Sequence, residues 1–236
     1  MANPFERRYR ADTDGDFRLA DHPTRDDSCF EGDAGAGRER LAALRGELAD
    51  LQARLYAESR RSVLVVLQAM DAAGKDSTVR DVLRSTNPMG VHAHGFGRPS
   101  AEELAPRSRW ERRYRHIREF ERMLADEDVT ILKFFLHLSR DEQREQFQQR
   151  LDDPRKRWKF DRADLDTRAR WDDYMEAYED AIRETSTEWA PWYVVPADRR
   201  WYRKLAIVEI LVDALHRLDP QYPPEIEGLD DIVVDP

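Results

Sequence analysis

Apolar positions along the chain follow two different periods. Leu41, Leu44, Leu48, Leu51 and Leu55 recur at spacings of three and four, which predicts a helix with one buried stripe over residues 38–60. SVLVVLQ (62–68) and VTILKFFLHL (129–138) are short apolar runs bounded by polar residues, the pattern of strands buried in a parallel sheet. VHAHGFG (91–97) is a weaker run and predicts a further strand, and WYVVPA (192–197) predicts the last. The intervals read as helices. Residues 101–126 are strongly charged, and Ser139 with Glu142 makes a capping box for a helix running to about 151. Residues 167–185 carry Trp171, Tyr174 and Tyr178, and 200–217 place Leu205, Val208, Leu211, Val212 and Leu215 on one stripe. Strands alternating with helices predict an α/β fold: a mostly parallel sheet flanked by helices on both faces. Residues 1–37 are polar and without period, so they read as an N-terminal arm over the surface. A domain over 38–217 follows, then a tail at 218–236 rich in Pro and Asp.

Composition narrows the class. No apolar run is long enough to cross a membrane, MANPFERRYR lacks the apolar centre of a secretory signal, and Cys29 is the single cysteine. A cytoplasmic protein without a disulfide framework is expected. The net charge of −9 argues against a nucleic-acid partner. It leaves room for a polyanionic ligand, because screening at physiological salt acts over roughly 8 Å and a local basic patch outweighs distant carboxylates.

The sharpest local signal is LQAMDAAGKDST (67–78). It approximates G-x-x-x-x-G-K-[ST] with Gly74 and Lys75 in place, Ala69 at the first glycine and Asp76 at the hydroxyl position. A strand precedes it and a helix follows. In that setting successive backbone N–H groups and the helix N-terminus cradle phosphate, Gly74 allows close approach, and Lys75 supplies a point charge. If position 69 needs a positive φ, Ala costs roughly 1–2 kcal/mol there. Asp71 and Asp76 would repel phosphate unless a metal ion lies between, so they read as ligands to Mg²⁺ serving a phosphate chain. The plain alternative is an ordinary strand-to-helix turn.

A second signal is PRKRWKFDRADLDTRAR (154–170), with seven Lys and Arg against three Asp in an acidic protein. Lys156, Arg157, Lys159 and Arg162 suit a basic lid over about 152–172 that clamps an anionic chain and excludes water. A solvated charged surface is the alternative. His92 and His94 share one face of a strand and lack a third ligand nearby in sequence, so they make a poor metal site.

Several ordered blocks carry a family resemblance: LQAMDAAGKDSTV, the NP-x-G turn at Asn87–Gly90, RPS at 98–100, FERML at 120–124, ILKFFLHLSRDEQREQF, RLDDPRKRWKF, RWDDYMEAYEDA and TSTEWAPWYVVPADRRWYRKLA. Together they resemble the type-2 polyphosphate kinase family over residues 40–215, with wording closest to the group that phosphorylates AMP and ADP. The resemblance implies a P-loop kinase-like three-layer fold with a basic helical lid. It implies Mg²⁺-dependent phosphoryl transfer between inorganic polyphosphate and an adenine or guanine nucleotide, by a homo-oligomer. By residue matching, Asp71 holds the metal and acts with Lys75 in catalysis. Gly74, Asp76 and Ser77 complete the loop, with Ser77 where relatives commonly carry Gly. Arg98 stands where relatives carry Lys, and Arg157 and Lys159 match the lid's basic contacts.

One family element is missing from the sequence: an apolar strand followed by Asp or Asn and then Arg-Ser-x-Tyr. The resemblance breaks off near LAPRS (104–108) and resumes near RWERRYRHIREFE (109–121), several dozen residues short. Metal positioning of this kind is worth several kcal/mol at the transition state. Three readings follow: a polyphosphate-dependent phosphotransferase, a shortened relative that binds polyphosphate or nucleotide without turnover, and a nucleoside monophosphate kinase using ATP. Asp76 and the family blocks speak against the third.

Overall fold

A computed structural model describes residues 3–11, 16–96, 107–227 and 232. The chain runs α1 (Pro4–Tyr9), α2 (Ala34–Glu58), β1 (Ser62–Gln68), α3 (Lys75–Val82), α4 (Arg107–Asp126), β2 (Val129–His137), α5 (Arg140–Asp152), α6 (Ala163–Ala169), α7 (Trp171–Thr185), β3 (Trp192–Pro196) and α8 (Arg200–Leu218). The three strands form one parallel sheet in the order β1-β2-β3, with Ser62 opposite Val129 and Lys133 opposite Trp192. Because every strand runs the same way, Gln68, His137 and Pro196 all end at one edge of the molecule, where ligand sites of open α/β sheets form.

The α2 stripe predicted from the leucine spacing is real. Leu41, Leu44, Leu48 and Leu51 are buried with α8 against one face of the sheet. At about 1.5–3 kcal/mol each, their burial is a large gross contribution. Asp33 caps the helix by accepting from the Gly35 and Ala36 N–H groups, and Ser59 ends it in the left-handed conformation at φ 52°. The other face is covered by α7, whose Ile182 is buried with Phe135 and Val194 and whose Tyr178 ring lies 4.7 Å from Phe135. The one charge inside β2, Lys133, is 2 % exposed. Its ammonium donates to both Glu121 carboxylate oxygens (2.9 and 2.7 Å) and to the Thr185 carbonyl. Burial lowers the Lys133 pKa and raises that of Glu121, so desolvation outweighs their mutual attraction at both groups.

Four expectations change. VHAHGFG is not a strand over its described part, 91–96, which runs extended without a ladder partner. His92 and His94 are exposed there, and no group of three metal-ligating side chains exists among the described residues. β1 was expected to be buried; instead it is an edge strand, with Leu64 and Val65 each 38 % exposed. The N-terminal arm is not a purely polar surface segment. Phe5, Tyr9, Ala11, Phe17 and Leu19 are buried, the Ala11 N–H donates to the Trp192 carbonyl, and the Tyr9 and Tyr202 hydroxyls meet at 2.6 Å. The capping box at α5 is half closed: Ser139 accepts from the Glu142 N–H, but Asp198 rather than Glu142 takes the Ser139 N–H.

Candidate functional site

Residues 69–74 join β1 to α3 at the C-terminal edge of the sheet. Ala69 is buried and adopts no positive φ; that conformation falls at Ala72 (φ 66°) and Gly74 (φ 86°). The roughly 1–2 kcal/mol cost expected at Ala69 therefore belongs to Ala72. Gly74 starts α3 without a side-chain cap, so the first N–H groups of that helix have no cap to accept them. Lys75 folds back across the loop, its ammonium donating to the Ala69 carbonyl at 2.6 Å. Burial depresses its pKa, and the charges of Asp71 and Asp76 work against that shift. Ser77 donates to the Gly74 carbonyl at 2.9 Å.

Two residues that the sequence reading did not single out hold this loop. Arg203, on α8 and 2 % exposed, lies beneath it. Its guanidinium donates to the Ala73 carbonyl (2.6 Å), the Ala197 carbonyl (3.2 Å), the Thr78 hydroxyl (3.1 Å) and the Ser77 hydroxyl (3.4 Å). Burial, helped by the nearby charge of Arg200, lowers its pKa to about 10, so it stays cationic at neutral pH. A Cβ at Gly74 would stand 2.6 Å from its terminal nitrogen, so glycine is required there twice, by φ and by space. Gln143, fully buried on α5, donates to the Asp71 carbonyl (2.9 Å) and accepts from Arg168 of α6 (3.0 Å). Arg168 also donates to the Arg140 carbonyl; burial and then the charges of Arg140 and Arg144 lower its pKa. Loop and lid segment thus share one glutamine. Arg203 lies about 130 positions from the loop in sequence, beyond the reach of any local motif.

Asp71 is half-buried and Asp76 exposed, and among the described residues neither carboxylate is tied in an ion pair. The Asp71 charge adds to burial in pushing the Tyr178 phenol up to about 12. One or two carboxylates without an ion-pair partner among the described residues, beside an uncapped helix start, fit a divalent cation, which needs no all-protein cage where a ligand supplies the remaining oxygens. Lys156, Arg157 and Lys159 lie on an exposed turn, Arg157–Lys159 forming a short 3-10 helix. They engage near neighbours: Lys156 pairs with Asp153 (3.1 Å), Arg157 donates to the Leu151 carbonyl (2.7 Å) and Lys159 lies over the Trp158 ring. The structure does not bring them onto the loop. Arg98 lies outside the described residues.

Beside this edge, β2 ends in His137, 9 % exposed, whose Nδ1 has no hydrogen-bond partner. Its ring lines a cavity of about 500 Å³ with Leu19, Trp171 and Met175. Burial lowers its pKa to about 4, so it is neutral at pH 7.

Comparison with known proteins gives the chain a family and a fold. The profile of the family described as Polyphosphate kinase 2 matches residues 31–107 and 104–223. An AMP/ADP-polyphosphate phosphotransferase of Meiothermus ruber is 48% identical over 266 residues, covering 97% of this chain and 100% of that protein. An ADP-polyphosphate phosphotransferase of Rhodopseudomonas palustris is 39% identical over 225 residues, covering 75% and 78% respectively. The crystal structure of polyphosphate kinase 2 from Arthrobacter aurescens superposes with a TM-score of 0.89 at 35% identity, covering 94% of this chain and 93% of that one.

Proposed function

Since the chain belongs to the polyphosphate kinase 2 family, we propose that the loop at 69–78 is where it transfers phosphoryl groups between inorganic polyphosphate and nucleotides. The observation that carries this is the loop itself. A lysine and an uncapped helix start meet two unpaired carboxylates, over a buried arginine with no carboxylate partner among the described residues. Adenine nucleotides, AMP or ADP, are the acceptors that the relatives' names support. The protein acts in the cytoplasm; no described helix is long and apolar enough to cross a membrane.

Phosphoryl transfer of this kind depends on positioning and charge rather than on a covalent protein intermediate. The α3 N-terminus and Gly74 bind phosphate oxygens through backbone N–H groups. Lys75 exchanges the Ala69 carbonyl for a phosphate oxygen and so neutralises charge as it moves between donor and acceptor. Arg203 holds Ala73 and Ser77 in place and adds a fixed positive charge from below. Asp71, with Asp76, would hold the divalent cation that the kinase family implies, Mg²⁺ in our reading, which supplies charge stabilisation to the phosphates when bound. Gln143 fixes the Asp71 backbone. Lys156, Arg157 and Lys159 close on the chain of phosphates only when the 153–162 segment moves inward, and Arg98, by its match to the family's lysine position, serves phosphate or nucleotide binding.

The sequence also lacks, in our reading, the family segment with a second metal-organising strand. The family profile matches in two stretches that meet at 104–107, which supports this. The test is an assay with Mg²⁺, long-chain polyphosphate and AMP or ADP. ADP or ATP should form, and Lys75→Ala should slow the reaction by about 10- to 100-fold, the value of a charge-assisted bond of about 1.5–3 kcal/mol. Binding of polyphosphate without turnover would overturn the proposal.

A further inference from the structure

Ala72 holds a positive φ of 66°, a conformation that an alanine keeps only where its surroundings impose it. The carbonyls on either side of it are both pinned by buried side chains. That of Ala73 accepts from Arg203 of α8 at 2.6 Å, and that of Asp71 accepts from Gln143 of α5 at 2.9 Å. The Gln143 amide cannot turn over without losing both of its bonds. A backbone carbonyl only accepts and a guanidinium only donates, so Nε2 must face Asp71 and Oε1 must face Arg168. Arg168 belongs to the lid segment. Its helix, α6, is seated on α5 at two points. Near its start the buried Asp164 meets Arg150 at 3.8 Å; near its end Arg168 donates to the Arg140 carbonyl at 2.6 Å and to Gln143 at 3.0 Å. The exposed turn that carries Lys156, Arg157 and Lys159 lies between α5 and α6 in the chain, so a movement of the turn pulls on this seat.

We propose that Gln143 is a positioning residue that carries the seating of the lid segment to Asp71, so that the grip of Asp71 on a divalent cation changes when the lid segment moves. This rests on the assignment of Asp71 to the cation made above. Gln143 spends its amide on two protein bonds and has nothing left to offer metal or phosphate; it acts through the Asp71 carbonyl. Released from that bond, the backbone beside Ala72 can relax toward negative φ, which carries the Asp71 carboxylate away from the start of α3. Glutamate at 143 would keep the acceptor for Arg168 and lose the donor for Asp71, while methionine would lose both. The coupling is reciprocal: a cation held at Asp71 biases the seat of α6 by as much as the seat biases the cation.

Two measurements on the full chain test the relay, one of them independent of turnover. In Arg168→Met, hydrogen exchange of the loop peptide 67–78 should speed up at least about twofold while that of β3 stays as in the wild type, because the seat reaches the loop and not the sheet. In initial-rate assays with polyphosphate and ADP, Gln143→Met and Gln143→Glu should each raise the Mg²⁺ concentration for half-maximal rate about 3- to 10-fold, the value of one neutral hydrogen bond. Arg168→Met should shift it in the same direction, and Gln143→Met combined with Arg168→Met should shift it no further than Gln143→Met alone. If neither Gln143 variant folds, the exchange result decides. Unchanged loop exchange in Arg168→Met overturns the proposal, and so does a double variant whose shifts add. A Gln143 that only packs α5 would lower stability and leave the Mg²⁺ dependence where it was, which also overturns it. Asp71→Asn tells the two possible failures apart. If that variant leaves the Mg²⁺ dependence unmoved, the assignment of Asp71 has failed and takes the relay to the cation with it. If it moves the dependence and the Gln143 variants do not, the relay alone has failed.

Discussion

His137 gives a pH dependence of stability that can be worked out from one side chain. Its ring is enclosed at the end of β2, and burial takes its pKa from the ordinary 6.5 to about 4. The His22 charge acts in the same direction, while the His22 backbone and Asp198 act against it. The folded pKa is depressed, so the unfolded chain takes up the proton first. The stabilisation is fully present above about pH 6.5 and is lost as pH falls toward 4. At pH 5 nearly all unfolded rings are protonated but only about a tenth of folded ones, which removes about 2 kcal/mol relative to pH 7. That is a large share of a typical stability of about 5–15 kcal/mol. Asp26, Asp33, Asp81 and Asp153, whose pKa values are lowered, release their contributions at more acidic pH, and Glu121 and Asp213, whose pKa values are raised, shift the opposite way; comparison with a variant lacking the ring removes both sets. Urea denaturation of wild type and His137→Phe at pH 7 and pH 5 measures this. The wild type should lose about 2 kcal/mol more than the variant, every other group cancelling in the comparison. Parallel losses, within about 0.5 kcal/mol, would refute a buried neutral His137.

Two further outcomes follow from the same geometry. Glu121→Leu strands the Lys133 ammonium inside the protein and should cost about 3–5 kcal/mol, while Glu121→Leu combined with Lys133→Met should recover most of it; denaturant midpoints decide, and a single-variant loss under about 1 kcal/mol would sink the reasoning. Gly74→Ala forces a Cβ against the Arg203 guanidinium at φ 86°, so it should cost at least about 1–2 kcal/mol and lower the initial transfer rate at least tenfold, seen by thermal melting and product formation. An unchanged rate would show that this backbone does not touch phosphate.

What the sequence disclosed was whatever local periodicity or a dense motif can encode. SVLVVLQ bounds β1 to the residue, and the leucine spacing finds α2 within a few. Lys75 and Gly74 could be singled out because the motif that marks them spans only eight consecutive residues, 69–76. Pairing is a different matter. An apolar run does not say how many neighbours it will have, so β1 read as interior although it is an edge, and VHAHGFG read as a strand although nothing described pairs with it. Arg203 and Gln143 were missed because both look like ordinary helical positions; only the fold puts them under the loop. The arm misled because its five buried apolar residues are too sparse and irregular to show a period.

The arm also sets a timetable. Tyr9 bonds to Tyr202, Glu6 receives hydrogen bonds from Tyr193 and Arg217, and Asn3 donates to the Glu209 carbonyl, contacts separated by up to 211 positions. A ribosome adding about 5–20 residues per second needs roughly 10–40 seconds to travel from the first partner to the last. Throughout that interval Phe5 and Tyr9 are made but have nothing to pack on, because β3 and α8 have not emerged. The sheet cannot be sealed along its β3 side until translation is nearly over. Such non-local closure slows folding and lengthens exposure to aggregation. Residues 3–11 are therefore the last to find their place, and a fusion joined ahead of Asn3 acts on the step that completes the fold.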